Sequence, residues 1–392
     1  MKREAAVIPY GKQEITQDDI DAVVSVLKSD FLTQGPQVPA FERTLTDFTG
    51  AKHALAVNSA TSALHIACLA LGLGEGDWLW TTPVTFVASA NCGLYCGAQV
   101  DFVDIDPRTY NLCPEALATK LAEADAAGRL PKVLVAVHLC GQACDMAAIH
   151  RLCQRYGIKV IEDASHAIGG RYQGQPIGDG RYSDITVFSF HPVKIVTTAE
   201  GGAALTNDDE LAAKMALYRS HGITRDEALM TEPSHGGWYY QQVDLGYNYR
   251  MTELQAALGV SQMARLTDFV SARHALARRY DALLAGLPVV VPYQHPDSYS
   301  GLHLYVIRLK LDAISCSHAE VFAQLREQGI GVNLHYIPVH TQPHYRAMGF
   351  NNGDFPHAEQ YYAEAISLPM FHTMTEAQQV TVVATLRDIL GA

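Results

Sequence analysis

From about residue 50 to 207, short apolar runs rich in β-branched residues alternate with stretches of helical period, the pattern of a mostly parallel sheet joined by crossover helices. The runs that read as strands are 54–57, 78–82, 100–104, 133–138, 158–162, 185–190 and 202–206. Several end on a polar or small residue, Asn58, Asp163 and Ser189 among them. Beyond residue 207 the rhythm changes. Residues 208–221 read as a helix, and 222–246, rich in Gly, His, Tyr and Gln, as a loop. A long helical pattern follows from Thr252 to Leu284, interrupted near Gly259. The last hundred residues or so offer strands at 288–292, 302–310 and 331–336 and helices at 317–328, 357–366 and 375–390. The pattern predicts an α/β chain with a large domain over 1–258 and a smaller α+β domain over 259–392. No repeat or low-complexity segment interrupts it.

Composition narrows the classes of function. The 392 residues are 48% hydrophobic and 9% aromatic, enough apolar side chain for a large core. Lys and Arg number 29 against 41 Asp and Glu, a formal charge of -12, and no basic tract offsets it, so nucleic acid is excluded as an expected partner. The segment MKREAAVIPYGKQEIT has a four-residue apolar stretch flanked by charge, unlike a secretory signal, and the expected location is the cytoplasm. Residues 78–100 carry no charge over a length that could span a bilayer, but the scattered Thr, Ser, Asn, Gln and Pro favour a buried strand followed by a packed helix, so no membrane partner is expected. The eight cysteines read as buried small residues of a reducing compartment. The pairs Cys92/Cys96 and Cys140/Cys144 have neither the spacing nor the neighbours of a zinc knuckle, and Pro338 and Pro343 break the helix that would align His340 and His344 with His335. No metal is expected.

In open α/β sheets, ligands sit beyond the carboxyl ends of the strands. There, SFHPVKIVTTAEGG (189–202) places Lys194 just past a buried strand, where desolvation can lower an amine's pKa as imine chemistry requires. A lone lysine in such a place is usually a surface turn residue. Thirty-one residues earlier, IEDASHA puts Asp163 directly after another strand, as an anion for a pyridinium nitrogen or as an Asx turn or helix cap. NSATSALHIACLALGL (58–73) opens an apolar helix with Ser59, Ala60, Thr61 and Ser62, a phosphate cup or an ordinary cap, and Ser189 would complete the cup. Phe86 in TTPVTFVASAN is either a stacking face or a core residue. Lysine, carboxylate, cup and aromatic all fall at strand ends of one α/β region, which points to pyridoxal 5'-phosphate.

Taken in order, FLTQGPQVPAFE, NSATSAL, TTPVTFVASAN, EDASHA, SFHPVK, TTAEGG, GYNYRMTELQAALG, HYIPVH and ISLP resemble the DegT family of sugar-nucleotide aminotransferases, enzymes of pyridoxal phosphate fold type I, over nearly the whole chain. The resemblance implies that Lys194 anchors the cofactor, Asp163 pairs with its ring nitrogen, Phe86 stacks on the ring and His166 lies near the ring hydroxyl. Ala60, Thr61 and Ser189 would hold the phosphate. Asn248 and Arg250 would come from the neighbouring subunit of a homodimer with shared active sites, Asn248 to the phosphate and Arg250 to substrate. His335 and Tyr336 are read as substrate-facing. Within the family the segments are most similar to the branch serving pseudaminic acid biosynthesis, which moves the amino group of L-glutamate to the C4 ketone of a UDP-linked sugar. A related dehydratase branch has histidine in place of lysine, and Lys194 argues against it. Aminotransferases for other nucleotide-linked keto sugars and a non-catalytic regulator of the same fold stay open.

Overall fold

The computed structural model describes residues 7–391, so the first six residues of the signal-peptide reading and residue 392 lie outside it. The chain is built round a seven-stranded sheet made of β1 (His53–Val57), β2 (Trp78–Thr81), β3 (Gln99–Phe102), β4 (Val133–Val137), β5 (Lys159–Asp163), β8 (Ile185–Ser189) and β9 (Gly202–Thr206). Between β5 and β8 the chain makes a small excursion, β6 (Arg171–Tyr172) and β7 (Gln175–Pro176). The order is β1-β9-β8-β5-β4-β2-β3. Only β9 runs against its neighbours; the other pairings are parallel.

Strand alternation divides the core into two layers. Val133, Val135 and Val137 of β4 face one layer with the helices Ala60–Ala70 and Ala88–Tyr95, while Leu134 and Ala136 face the other with Phe41, Leu117 and Ile149. Both faces are covered, which is why these strands read as continuous apolar runs rather than alternating ones. Residues 78–100 resolve into β2 and the helix Ala88–Tyr95, and no described helix is long and apolar enough to cross a membrane.

The stretch after β9 carries the short strands β10 (Ile223–Thr224) and β11 (Gln241–Gln242) within the expected loop. A third core lies around β12 (Val289–Val290), β14 (Tyr305–Leu309) and β15 (Ala365–Leu368), packed by the helices Leu266–Leu283, His318–Glu327 and Glu376–Leu390. Between β12 and β14, β13 (Ser298–Tyr299) pairs with β6.

Three expectations need correction. The helical pattern is interrupted at Ala264–Arg265, between Glu253–Met263 and Leu266–Leu283, and not at Gly259. That glycine is a packing residue, because a Cβ there would come within 2.6 Å of the Phe41 ring. Residues 331–336 form no strand; only Asn333 bridges to Ser367. The third strand of the small sheet is β15, wholly buried against β14, so the preceding helix stops at Glu364 instead of running to 366.

Candidate active site

The carboxyl ends of β5 and β8 and the start of the helix Ala60–Ala70 surround a cavity of about 970 Å³ lined by Ala60, Thr61, Phe86, Asp163, His166, Ser189, Lys194, His335 and Tyr336 among others. Nine of the eleven expected site residues therefore meet at one place. Asn248 and Arg250 do not line it. Arg250 bridges to Val57 and Asn248 to Ser220, along the outer edge of β1.

Asp163, the last residue of β5, is buried and accepts from Ser89 Oγ (2.6 Å), Ser165 Oγ (2.6 Å) and the Ser165 N–H (3.1 Å). The Ser165 N–H contact is an Asx turn, so the modest alternative is present too, and it fixes the carboxylate rather than competing with a functional role. A carboxylate offers about four lone-pair sites, so three donors leave one for a further donor. Strand alternation turns its neighbour Glu162 to the opposite face, where Glu162 accepts from Ser183 Oγ (2.6 Å) and faces His138 Nε2 (2.7 Å). The Cys144 N–H donates to His138 Nδ1 (3.2 Å), so we place the His138 proton on Nε2, donated to Glu162.

Lys194 follows β8 on a turn closed by its own N–H to the His191 carbonyl (2.9 Å). Desolvation at the cavity wall lowers its amine to about 8, against the opposing pull of Asp163. A fraction of free amine is thus available near neutral pH, and Lys194, although on a turn, lines the cavity.

Ser59 caps the helix Ala60–Ala70 by accepting the Ser62 N–H (3.1 Å). The first-turn N–H groups of Ala60 and Thr61 and the hydroxyls of Thr61 and Ser189 have no hydrogen-bond partner among the described residues. Gly202, opposite Ser189 in the β8–β9 ladder, lets β9 approach this terminus, since a Cβ there would lie 2.4 Å from Ala60 N. Unpaired donors at a helix N-terminus beside a free serine hydroxyl are what an anion requires.

Phe86 is 58% exposed and so is no core residue; its ring lies 6.1 Å from that of Tyr336. The Cys140 N–H donates to His166 Nδ1 (3.2 Å), which leaves the ring proton on Nε2, donated to Tyr336 Oη (3.1 Å). Burial and the charges of Lys194 and His335 hold His166 well below the usual imidazole range, in keeping with a neutral ring. Tyr336 accepts from His166, so its own proton is free for the cavity. His335 bonds Ser367 Oγ (2.8 Å), and burial with Lys194 nearby lowers it to about 4. His340 instead pairs with Glu359 (3.0 Å), away from His335.

Over residues 13–387 the sequence matches the model of the DegT/DnrJ/EryC1/StrS aminotransferases. The chain belongs to that family. It is 38% identical over 386 residues to the spore coat polysaccharide biosynthesis protein SpsC of Bacillus subtilis, covering 98% of this chain and 97% of that one. It is 36% identical over 386 residues, 98% of each chain, to a UDP-4-amino-4,6-dideoxy-N-acetyl-beta-L-altrosamine transaminase of Campylobacter jejuni. The solved structure of Helicobacter pylori PseC, an aminotransferase involved in the biosynthesis of pseudoaminic acid, superimposes with a TM-score of 0.90 at 31% identity, covering 98% of this chain and 99% of that chain.

The protein is accordingly a sugar aminotransferase, and the DegT family uses pyridoxal 5'-phosphate. The donor set fits that cofactor: an amine of lowered pKa for its aldehyde, a lone pair on Asp163 for a protonated ring nitrogen, and unpaired donors at the helix terminus for its phosphate.

Two residues of the site escaped the sequence reading. Ser89, four residues after Thr85 and bonded to it (2.7 Å), lies inside a helix, where a serine carries no special signal. The His303 ring centroid lies 4.5 Å from that of His166, the rings tilted by 49°, and the His303 Nδ1 is buried without a partner among the described residues. This histidine lies between the two-residue β13 and β14, away from the carboxyl ends of the large sheet's strands, so a search past those ends does not reach it.

Proposed function

We propose that the protein transfers the amino group of L-glutamate to the C4 ketone of UDP-2-acetamido-2,6-dideoxy-β-L-arabino-hexos-4-ulose, as a cytoplasmic enzyme of pseudaminic acid biosynthesis. The observation that carries this reading is the Lys194 amine, held near pKa 8 in the cavity that also contains the fixed Asp163 carboxylate and the unpaired donors at Ala60 and Thr61. The names of the Campylobacter jejuni and Helicobacter pylori relatives support the choice of sugar and pathway.

Pyridoxal phosphate, when bound, supplies the electron sink that lets a proton leave the donor's α-carbon. Lys194 would hold it covalently, Asp163 would keep its ring nitrogen protonated, and Ala60, Thr61 and Ser189 would take the phosphate. Phe86 would offer a ring face, and neutral His166, which donates to Tyr336 Oη, would lie near the ring hydroxyl. Lys194 Nζ, once free, takes the proton from the α-carbon of glutamate in the first half-reaction. In the second half it delivers a proton to C4 of the sugar. One amine thus serves both halves, with ping-pong kinetics. Asn248 and Arg250, at the rim of β1 and outside their own cavity, would complete the site of a second subunit, Asn248 at the phosphate and Arg250 at the substrate. In this reading, residues 1–258 bind the cofactor and 259–392 close over the substrate.

The test is an absorbance spectrum with pyridoxal phosphate, then with L-glutamate alone. A band near ~420 nm that collapses toward ~330 nm on glutamate and returns on addition of the keto sugar is expected. A band indifferent to glutamate removes the donor assignment, and no band removes the role of Lys194. NMR of the aminated sugar then fixes its configuration at C4.

A further inference from the structure

Among the described residues only two carboxylates line the cavity, Asp163 and Glu200, and their situations are opposite. Asp163 is buried and held by three donors. The Glu200 side chain is 62% exposed at the cavity mouth and accepts no hydrogen bond from the described residues; the His191 ring Nε2 is 4.0 Å away, beyond hydrogen-bond reach.

The backbone beneath Glu200 is held as firmly as its carboxylate is left free. The Glu200 carbonyl accepts from Thr198 Oγ1 (2.7 Å) and from Gln255 Nε2 (2.8 Å). Gln255 is itself fixed, its Oε1 accepting the N–H and the hydroxyl of Thr252, 2.9 Å each, in a capping box at the start of the helix Glu253–Met263. The residue before Glu200, Ala199, has φ 66°, a left-handed conformation that a Cβ disfavours, and its N–H is caught by Thr197 Oγ1 (3.0 Å). On the other side of Glu200, a Cβ at Gly201 would fall 2.1 Å from Thr198 Oγ1. A turn strained at one residue and held by three side-chain hydrogen bonds is a feature associated with functional sites.

We propose that Glu200 is a specificity-determining residue of the acceptor half-reaction, its carboxylate accepting a hydrogen bond from a hydroxyl or amide N–H of the nucleotide-linked sugar at the cavity mouth. The inference rests on the aminotransferase reading given above and deepens it. A carboxylate is an acceptor-only group, so it matches the hydroxyl-rich sugar. It acts on the sugar and not on the nucleotide or the amino donor.

The test compares wild type with Glu200→Gln, which keeps the volume and removes the charge. Calorimetry on the pyridoxal phosphate form, which binds the keto sugar without turning it over, gives the dissociation constants of UDP and of UDP-2-acetamido-2,6-dideoxy-β-L-arabino-hexos-4-ulose. Stopped-flow absorbance gives the glutamate half-reaction. The expected result is a sugar nucleotide weakened about tenfold or more, with UDP and the glutamate half-reaction unchanged within about twofold. Ala199→Gly, which relieves the strain without touching the carboxylate, should leave the sugar's affinity within about twofold of wild type. Equal weakening of UDP and sugar would assign Glu200 to loop structure and overturn the proposal, as would no change in either or a slowed glutamate half-reaction. Wild-type protein that binds no keto sugar nucleotide would instead remove the substrate reading on which the proposal stands.

Discussion

Two walls of the cavity are made in different ways. On one, Asp163, Ser189 and the Ala60–Thr61 terminus sit at the ends of strands whose ladders fix their backbones. On the other, His335 and Tyr336 lie on chain with no ladder, tethered by the Asn333–Ser367 bridge and by the side-chain bonds of His335 to Ser367 and of Tyr336 to His166. The first wall is set by cooperative sheet formation and holds the groups that would bind the cofactor. The second is set by single contacts, each open to removal one at a time. Chemistry common to a family belongs on a wall that cannot shift, and adaptation to a particular substrate on one that can.

The contrast can be broken at the ladder wall first. Lys194→Ala is expected to lower transamination by at least about 10⁴-fold while the protein still binds the cofactor without a covalent link, read by steady-state rates and by retention of bound cofactor on gel filtration. Turnover near the wild-type rate would remove Lys194 from the mechanism. Asp163→Ala should cost about 10²- to 10³-fold and weaken cofactor affinity, with unfolding by urea reporting whether β5 stays in place. A loss below about tenfold would mean that Asp163 is only a turn residue.

Lys194 also makes a prediction for stability without cofactor. Its folded-state value near 8 lies below the ordinary 10.5, so the unfolded chain binds more protons between those pH values and stability rises as pH increases through that window. The amplitude is about 3 kcal/mol, and Lys194→Met should flatten the rise in urea midpoints measured from pH 8 to 10. A wild-type profile already flat there would mean that the amine is solvated. At the tethered wall, Tyr336→Phe keeps the ring and removes the proton directed to the cavity. A drop of about tenfold is expected, confined to one half-reaction, and equal losses in both would make the hydroxyl a general packing element.

The same contrast explains what could be read from the sequence. The seven strands of the large sheet were legible to within a residue or two, because β-branched runs buried on both faces have few other readings, and their last residues pointed to Asp163 and Ser189 directly. The tethered wall was legible only as a substrate-facing loop, with no pattern to place it. Residues 331–336 have a strand's composition, but β15 takes the place beside β14, and nothing local to either segment says which one wins. Gly259 was misread for a related reason: its requirement comes from Phe41, more than two hundred residues earlier, and a helix-breaking residue looks the same whether it ends a helix or admits a neighbour. Ser89 and His303 became visible only when the third dimension placed them beside Asp163 and His166.

The single reversed strand of the large sheet also bears on the order of events during synthesis. Strand β1 has one ladder partner, β9, with Val57 opposite Gly202, so an early segment waits for a much later one. At about 5–20 residues per second that wait is on the order of ten seconds, during which β1 and the helix terminus behind it have no edge to settle on. The nascent chain therefore cannot shape its anion cup before β9 has been made. Loading of the cofactor is in this sense a late check on the whole sheet, since the groups that would grip its phosphate meet only after the seventh strand is in place.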